Sequence, residues 1–193
     1  MTSAPKPPQE VRIDRVLVFR ESGTVGVALS HPDKKFVIFV GQVEGAAIDR
    51  ELRKVRSDRP MTHDLLEYAL RGFDIAIARV VISSVSNGVY CASIILTQQM
   101  PEHRNEVRLD ARASDAMVLA LKFEVPLFVT SEVLDAVEDF GEQLALLDDE
   151  NEEEDDEDED DDVDDLGDDI DEDEDGEGDE EDGEADDDAP SKS

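Results

Sequence analysis

The sequence has few of the residues that mark several common protein classes. It has one cysteine, no tryptophan and only three histidines among 193 residues. A single cysteine cannot form an internal disulfide, which favours a reducing cytoplasm over a disulfide-stabilised secreted domain. No zinc-binding spacing of cysteines and histidines is present. Cys91 alternates within a predicted strand, so we expect it to be a small core residue rather than a nucleophile.

Long apolar runs are also missing. The longest uninterrupted run is far shorter than the roughly 20 residues that cross a bilayer. No stretch near the N terminus pairs basic residues with an apolar core, as a signal peptide does. We therefore expect a cytoplasmic protein with no membrane partner.

Basic residues are absent from one long part of the chain. Residues 148–188 hold 32 of the 53 Asp and Glu residues and no Lys or Arg. The first 147 residues carry 21 acidic and 17 basic residues, a formal charge of −4, whereas the whole chain has −35. So charged a segment cannot bury enough apolar surface to offset its ordering entropy. We predict a disordered lead at 1–10, one folded domain at 11–147 and a disordered acidic tail at 148–193.

The periodicity of the folded domain predicts an α+β fold, in which strands cluster first and helices then alternate with a hairpin. The sheet is expected to be mixed and mostly antiparallel. Predicted strands lie at 11–20, 24–30, 36–40, 74–85, 89–96, 105–111 and 127–129, and predicted helices at 43–52, 63–70, 115–122 and 132–144. The strand at 36–40 is apolar enough to be central.

Local signals predict how these elements begin and turn. Asn87-Gly88 lies between two apolar runs and is the strongest hairpin signal in the chain. Thr62, Ser114 and Ser131 are the predicted N-caps of three helices.

Residues 110–116 form the most informative stretch. Strand alternation places Asp110 and Arg112 on one face, and Asp115 follows in the first turn of a helix. Two carboxylates can hold a divalent metal and an arginine can balance charge on a phosphate. These groups can together support phosphodiester cleavage. The alternative is a surface ion-pair ladder that ends in a helix cap.

A second cluster precedes it. His63 and Asp64 lie in the first turn of a predicted helix, where they can bind a metal or act as acid and base. The alternative is a capped helix with a solvated histidine. A strand-glycine-helix entry at 41–48 can offer backbone N–H groups to an anion, but it lacks the spacing of a nucleotide-binding loop.

Together and in this order, these blocks resemble the bifunctional nuclease domain family. The similarity covers about residues 11–137. The matching blocks are Phe36-Val-Ile-Phe-Val-Gly41 with Glu44-Gly-Ala-Ala-Ile48, Arg59-Pro-Met-Thr-His-Asp-Leu-Leu66, Gly88-Val-Tyr-Cys-Ala92, Asp110-Ala-Arg-Ala-Ser-Asp-Ala116 and Pro126-Leu-Phe-Val129. The blocks at 59–66 and 110–116 are rather specific as a pair. The chain departs from the family at Ala113, where Pro is usual, and at Gly45, where Ala is usual. The acidic tail is not part of the family pattern.

The resemblance implies a compact α+β domain, a homo-oligomer, and nuclease activity on DNA and RNA. The leading hypothesis is hydrolysis of phosphodiester bonds with Mg or Mn and without an organic cofactor. The expected catalytic residues are His63, Asp64, Asp110 and Asp115, of which Asp110 and Asp115 bind the metal, while Arg59 and Arg112 contact the nucleic acid.

Two alternatives remain open at this point. The rival to a nuclease is a non-catalytic binding or regulatory domain whose polar motifs are structural. The acidic tail is expected either to occupy the phosphate-binding surface and inhibit, or to recruit basic protein partners.

Overall fold

The computed structural model describes residues 6–19 and 22–147. The predicted tail and the first five residues of the lead lie outside these described residues. The strands are β1 (Gln9–Phe19), β2 (Thr24–His31), β3 (Lys34–Val40), β4 (Ile75–Ser86), β5 (Val89–Gln99), β6 (Arg104–Arg112) and β7 (Leu127–Val129), and the helices are α1 (Gln42–Leu52), α2 (Thr62–Gly72), α3 (Ala113–Phe123) and α4 (Ser131–Ala136).

The strands form one mixed sheet in the order β3-β2-β1-β7-β4-β5-β6. Two antiparallel meanders, β1–β3 and β4–β6, make up its halves. The short strand β7 joins the halves because it pairs antiparallel with β1 and parallel with β4. The predicted α+β fold with a mixed, mostly antiparallel sheet is confirmed.

The hairpin between β4 and β5 forms where the sequence predicts it. Ser86 pairs with Val89, and the two residues between them have positive φ angles of 51° at Asn87 and 77° at Gly88. Two successive positive φ angles define the tight turn whose twist matches that of the flanking strands, and Asn-Gly is the sequence that adopts it most readily.

The core lies between one face of the sheet and the helices. α3 is the most buried helix, with Ser114 and six apolar residues of its first eight buried. α1 approaches the sheet closely at Gly45, where a Cβ atom would lie 2.4 Å from Cγ1 of Val25. α2 buries only Leu70. α3 is therefore held by extensive packing and α1 by close packing at Gly45 and Ile48, whereas α2 is held by few apolar contacts.

β3 lies at one edge of the sheet, so the prediction that it is central is wrong. Its apolar run reflects burial on both faces. Phe36 and Ile38 belong to the main core, whereas Val37 packs with Ala28 and Leu144 in a smaller cluster on the opposite face.

The predicted last helix is broken in two, which corrects the continuous helix expected from apolar spacing. α4 ends at Ala136, and Val137 is extended with φ −84° and ψ 144°. The backbone N–H of Phe140 donates to the carbonyl of Lys35 at 2.8 Å, and Asp139 Oδ1 accepts from the N–H of Lys35 at 3.2 Å. Helical geometry resumes at 141–147. Tertiary hydrogen bonds to the edge of β3 thus override the local helical pattern, and they cover that edge.

The predicted N-caps are wrong by one or two positions. Met61, Arg112 and Thr130 occupy the N-cap positions of α2, α3 and α4, and none of them makes a side-chain cap bond. Ser114 lies inside α3 and is buried. β6 therefore passes into α3 without a loop, and Arg112 stands at the junction.

The structure also bears on the position of Cys91 and on the expected absence of membrane-spanning helices. Cys91 is exposed, so the prediction of a core position is wrong; it lies on β5 opposite Arg112 of β6, on the sheet face opposite the main core. Within the described residues, none of the helices has both the length and the apolar character that crossing a bilayer requires.

Candidate active site

The structure brings His63 and Asp115 into contact. His63 is the second residue of α2 and Asp115 is the third residue of α3. The Nε2 atom of His63 lies 3.2 Å from Oδ1 of Asp115, and the side chains are 19% and 33% exposed. Two residues 52 positions apart in the sequence thus form a partly buried histidine–carboxylate pair.

Arg112 holds the carboxylate of this pair in place. Its Nε and Nη2 atoms donate to the two oxygens of Asp115 at 2.8 and 3.2 Å, and its Nη1 donates to Oε1 of Glu44 at 2.8 Å. Two-point contact between a guanidinium and a carboxylate fixes orientation as well as charge. We refer to Glu44, His63, Arg112 and Asp115 as the His63 cluster.

The charges of the cluster set the ionisation of Asp115. Hydrogen bonds from Arg112, its positive charge and the contact with His63 lower the pKa of Asp115, while burial opposes them. The two carboxylates raise the pKa of Arg112 above its usual range. Asp115 is therefore ionised at neutral pH and can only accept hydrogen bonds.

An ionised Asp115 also fixes the tautomer of His63. Nε2 faces an acceptor and must carry a hydrogen, so in the neutral ring Nδ1 has a free lone pair. Nδ1 makes no hydrogen bond within residues 6–19 and 22–147. The arrangement is suited to proton transfer at Nδ1, with Asp115 stabilising the imidazolium that forms.

Three helix N-termini meet at the cluster. Glu44, His63 and Asp115 lie within the first three residues of α1, α2 and α3. Unpaired backbone N–H groups give each helix start a partial positive charge. With His63 neutral, the side chains add up to a formal charge of −1, so the helix starts and Arg112 offset two carboxylates.

Asp64 belongs to a different cluster. Its Oδ1 lies 2.5 Å from Nζ of Lys122, and its Oδ2 accepts the backbone N–H of Met61 at 2.7 Å. Lys122 also lies 2.9 Å from Oε1 of Glu51 and 3.6 Å from Oε2 of Glu67. We refer to Glu51, Asp64, Glu67 and Lys122 as the Lys122 cluster.

The Lys122 cluster ties three helices together in a poorly exposed position. Lys122 is 10% exposed, and its carboxylate partners are 11–18% exposed. Burial lowers the pKa of Lys122, but bonds to Asp64 and Glu51 outweigh burial and raise it above the usual value. The bond from Lys122 and the N–H of Met61 lower the pKa of Asp64. The cluster therefore links α1, α2 and α3 through ion pairs centred on Lys122.

The other expected site residues are not joined to either cluster. Asp110 is exposed on β6 and makes no side-chain hydrogen bond or ion pair within the part of the chain that the structure describes. It shares a strand face with Arg112 two residues on, about 7 Å away along the backbone. Arg59 is exposed in the segment between α1 and α2, and it too has no partner among the described residues.

That Asp110 and Asp115 hold a metal stays a prediction. No group of three or more His, Cys, Asp or Glu side chains that could hold a metal is found among residues 6–19 and 22–147. Both oxygens of Asp115 and of Asp64 are already engaged. Within the described residues, Asp110 is therefore the only expected ligand whose two carboxylate oxygens both lack a hydrogen-bond or ion-pair partner.

Sequence reasoning missed four residues of the two clusters, which are Glu44, Glu51, Glu67 and Lys122. Glu44 lies in the first turn of α1, inside one of the blocks of the family resemblance, and that position is the signal that could have identified it. Glu51 and Lys122 carry no such signal, because their contact joins residues 71 positions apart.

Comparison with known proteins agrees with the resemblance. The family model described as the bifunctional nuclease domain matches residues 27–140, which is more than half of the chain and includes both clusters. Two curated proteins of Mycobacterium tuberculosis, "Uncharacterized protein MT1877" of strain CDC 1551 / Oshkosh and "Uncharacterized protein Rv1829" of strain H37Rv, are each 30% identical over 122 residues. The alignment covers 63% of this chain and 66% of each relative, so the chain spans just under two thirds of their length. The chain belongs to the bifunctional nuclease domain family.

Proposed function

We propose that the protein is a nuclease that hydrolyses phosphodiester bonds in RNA, DNA or both, and that the His63 cluster is its active site. The observation that carries the proposal is the contact between His63 and Asp115 beside an exposed arginine, where three helices begin. Membership of the bifunctional nuclease domain family supports the same reaction class.

In this proposal His63 moves the proton. Neutral His63 accepts a proton at Nδ1 from the attacking water, or from a ribose 2′-hydroxyl in RNA. Asp115 stabilises the resulting imidazolium because its carboxylate accepts the Nε2–H bond. The protonated ring can then return the proton to the leaving oxygen. A positioned general acid or base contributes about 100- to 10,000-fold to a rate.

Arg112 would contact the phosphate. A guanidinium has five N–H groups, and Arg112 uses three of them on Asp115 and Glu44. The other two are free, and the side chain is 66% exposed. The segment between α1 and α2 adds exposed Arg56 and Arg59, whose side chains have no partner among the described residues and could contact neighbouring phosphates.

A divalent metal remains part of the proposal, although the described residues do not form a ready site. The His63 cluster has a formal charge of −1 with neutral His63, so an anionic phosphate needs further positive charge. Mg²⁺ is commonly held by one or two carboxylates together with substrate phosphates, and Asp110 is the carboxylate available for that role. When bound there, the metal would neutralise charge on the phosphate.

The test is cleavage of labelled single-stranded RNA and DNA by the purified full chain, with Mg²⁺, with Mn²⁺ and with a chelator. We expect cleavage with metal, and a loss of at least about 100-fold in His63→Gln prepared in parallel. Activity that is equal in both preparations would assign the cleavage to a contaminant or to another site.

A non-catalytic binding domain is the second candidate. One observation favours it: every oxygen of Asp64 and Asp115 already has a structural partner. That candidate predicts no cleavage under any metal condition and nucleic-acid binding that His63→Gln leaves unchanged. The same assay, with a binding measurement added, separates the two functions.

The acidic tail would act as a competing polyanion, either inhibiting in cis or recruiting basic partners. It lies outside the described residues, and the proposal rests on its 32 carboxylates at 148–188. Removal of residues 148–193 should raise affinity for single-stranded nucleic acid at low salt, and the gain should shrink as salt screens the charges. An unchanged affinity at low salt would contradict an inhibitory tail.

A further inference from the structure

The two edges of the sheet differ in how their backbone is covered. At the β3 edge, residues 139–140 bond to the backbone of Lys35. β6 forms the other edge, and all of residues 101–110 are exposed. Nothing among the described residues covers its outer side. β6 is nine residues long, contains no proline and pairs with β5 without a bulge, so shortness, proline and bulges do not keep this edge from pairing, and its charged side chains are the feature that decides which pairings are allowed.

The helix-bearing face beside this edge is apolar. Val107 and Leu109 are 47% and 43% exposed, although they pair with core-facing residues of β5. α2 lies on the same face, because Gln98 of β5 donates to the carbonyl of Phe73 at the end of that helix. Leu65 and Phe73 are 67% and 71% exposed. Exposed apolar side chains on the edge strand, and on a helix of the same face whose C-terminal end bonds to the neighbouring strand β5, mark an interaction surface.

The opposite face of β6 has alternating charge. Its residues in order are Arg104, Glu106, Arg108, Asp110 and Arg112. This order determines which antiparallel pairings with an identical strand are favourable. With Arg108 opposite its own copy, every facing pair has like charge. With Val107 opposite its own copy, Arg104 faces Asp110 and Glu106 faces Arg108, so every charged pair within the strand is opposite in sign, and opposite charges stabilise cross-strand pairs.

We propose that β6 is the dimerisation strand of this protein: it pairs antiparallel with β6 of a second copy, with Val107 on the two-fold axis. The two seven-stranded sheets become one continuous sheet, and Val107 and the exposed residues of α2 are covered on its helix-bearing face. This assembly is independent of the nuclease reaction proposed above.

Arg112 explains the choice between two charge-matched registers. Centring the pairing on Leu109 would also match opposite charges, but it would place Arg112 opposite Glu106 of the partner subunit. Arg112 is already bound to Asp115 and Glu44. The register centred on Val107 leaves it in the His63 cluster and uses only charges without a carboxylate or guanidinium partner within the described residues.

The first measurement is the mass of the full chain by sedimentation equilibrium over roughly 1 to 100 µM, at about 0.15 M salt to screen repulsion between the tails. We expect twice the 21.4 kDa chain mass at the upper concentrations. A mass of one chain throughout this range would overturn the proposal.

Charge exchange then tests the strand and its register. Glu106→Arg places arginine opposite Arg108 twice per dimer and should weaken association roughly 10- to 100-fold. In the double variant Glu106→Arg with Arg108→Glu, these two pairs are again of opposite sign, so association should return. The control, Arg108→Glu with Asp110→Arg, is complementary only in the register centred on Leu109 and should remain weak.

The pattern across the variants decides the outcome. Recovery in the control but not in the first double variant would overturn the Val107 register. Unchanged association in Glu106→Arg and in Val107→Lys would show that the chains associate elsewhere and would overturn the use of β6. Circular dichroism of each variant shows whether the fold is retained, which we expect because all four substituted side chains are exposed.

Discussion

Asp64 and Asp115 occupy the same position, the third residue, of neighbouring helices, yet their surroundings are opposite in character. Asp64 faces Lys122, whose side chain is 10% exposed and whose ammonium is held by three carboxylates. Asp115 faces Arg112, which is 66% exposed, and His63, whose second ring nitrogen is unbonded within the described residues. An enclosed group with every partner present stabilises a fold, whereas an open group with an unused proton site is available for chemistry.

A carboxylate in the first turn of a helix therefore has no fixed role. Both aspartates complement the helix dipole, and both have a lowered pKa because of a basic neighbour. Exposure and the presence of a titratable histidine distinguish them. Substitutions in the two clusters should therefore affect different quantities. Variants of the Lys122 cluster should lose stability, and variants of the His63 cluster should lose activity.

The largest expected effect is on catalysis. His63→Gln keeps a side chain that can bond to Asp115 but removes the proton acceptor, so kcat should fall at least about 100-fold. The rate of RNA cleavage at saturating substrate measures this loss. His103→Gln, in the exposed segment between β5 and β6, is the control and should leave kcat unchanged. Equal kcat values for the two variants would contradict the role of His63.

The next effect is on stability. Lys122→Met leaves three poorly exposed carboxylates without their cation, and breaking such a partly buried network should lower the free energy of unfolding by about 3 kcal/mol. Urea unfolding measures the change. Lys54→Met is the matched control because Lys54 is 58% exposed and pairs with Glu124 at the surface, so it should change stability by less than about 1 kcal/mol. Similar losses of unfolding free energy in the two variants would contradict a special stabilising role of the Lys122 cluster.

A smaller effect is expected at Arg112. Arg112→Gln removes the proposed phosphate contact, so KM should rise about 10-fold, as expected when one charge-assisted hydrogen bond to the substrate is lost. The unfolding midpoint should stay close to that of the unmodified chain because the side chain is largely exposed. Steady-state kinetics and urea unfolding measure the two quantities. A lower midpoint with unchanged KM would make Arg112 a structural residue like Lys122.

The smallest effect is on the pH dependence of stability. The folded-state pKa of Asp64 lies below its usual value of 3.8, so the stabilisation from ionised Asp64 is present above pH 3.8 and is lost as pH falls through the folded pKa. Asp64→Asn should therefore be less stable than the unmodified chain at pH 7, and the difference should narrow below pH 3.8. Urea midpoints measured between pH 7 and that acid range test the sign. A constant difference at all pH values would show that Asp64 does not stabilise through its charge.

Local signals in the sequence predicted the parts of the fold that depend on neighbouring residues. The Asn87-Gly88 turn is such a case, because its backbone geometry is set by two residues. The break after Ala136 could not be predicted, because it depends on a hydrogen bond between Phe140 and Lys35 on a distant strand. The position of β3 was mistaken for the same reason: local sequence shows that Val37 is apolar, but not that Leu144 covers it.

The candidate site was predictable only in part. The two blocks that contain His63 and Asp115 are visible in the sequence, but the contact between them spans 52 positions and depends on how α2 and α3 pack. Spacing alone grouped Asp64 with His63, although successive helical residues point in different directions and Asp64 faces Lys122. The role of Lys122 could not be predicted, because a lysine in the last turn of a helix is common at the surface.

The most direct test of the two-cluster account is a paired assay of Asp115→Asn and Asp64→Asn, with cleavage rates compared per folded molecule under the same metal condition. Each substitution neutralises one carboxylate at the same helical position and retains similar shape. The account predicts that Asp115→Asn lowers kcat by at least about 100-fold, whereas Asp64→Asn lowers it by less than about 3-fold and mainly reduces stability. Undiminished cleavage in Asp115→Asn, or an equally large loss in Asp64→Asn, would contradict it.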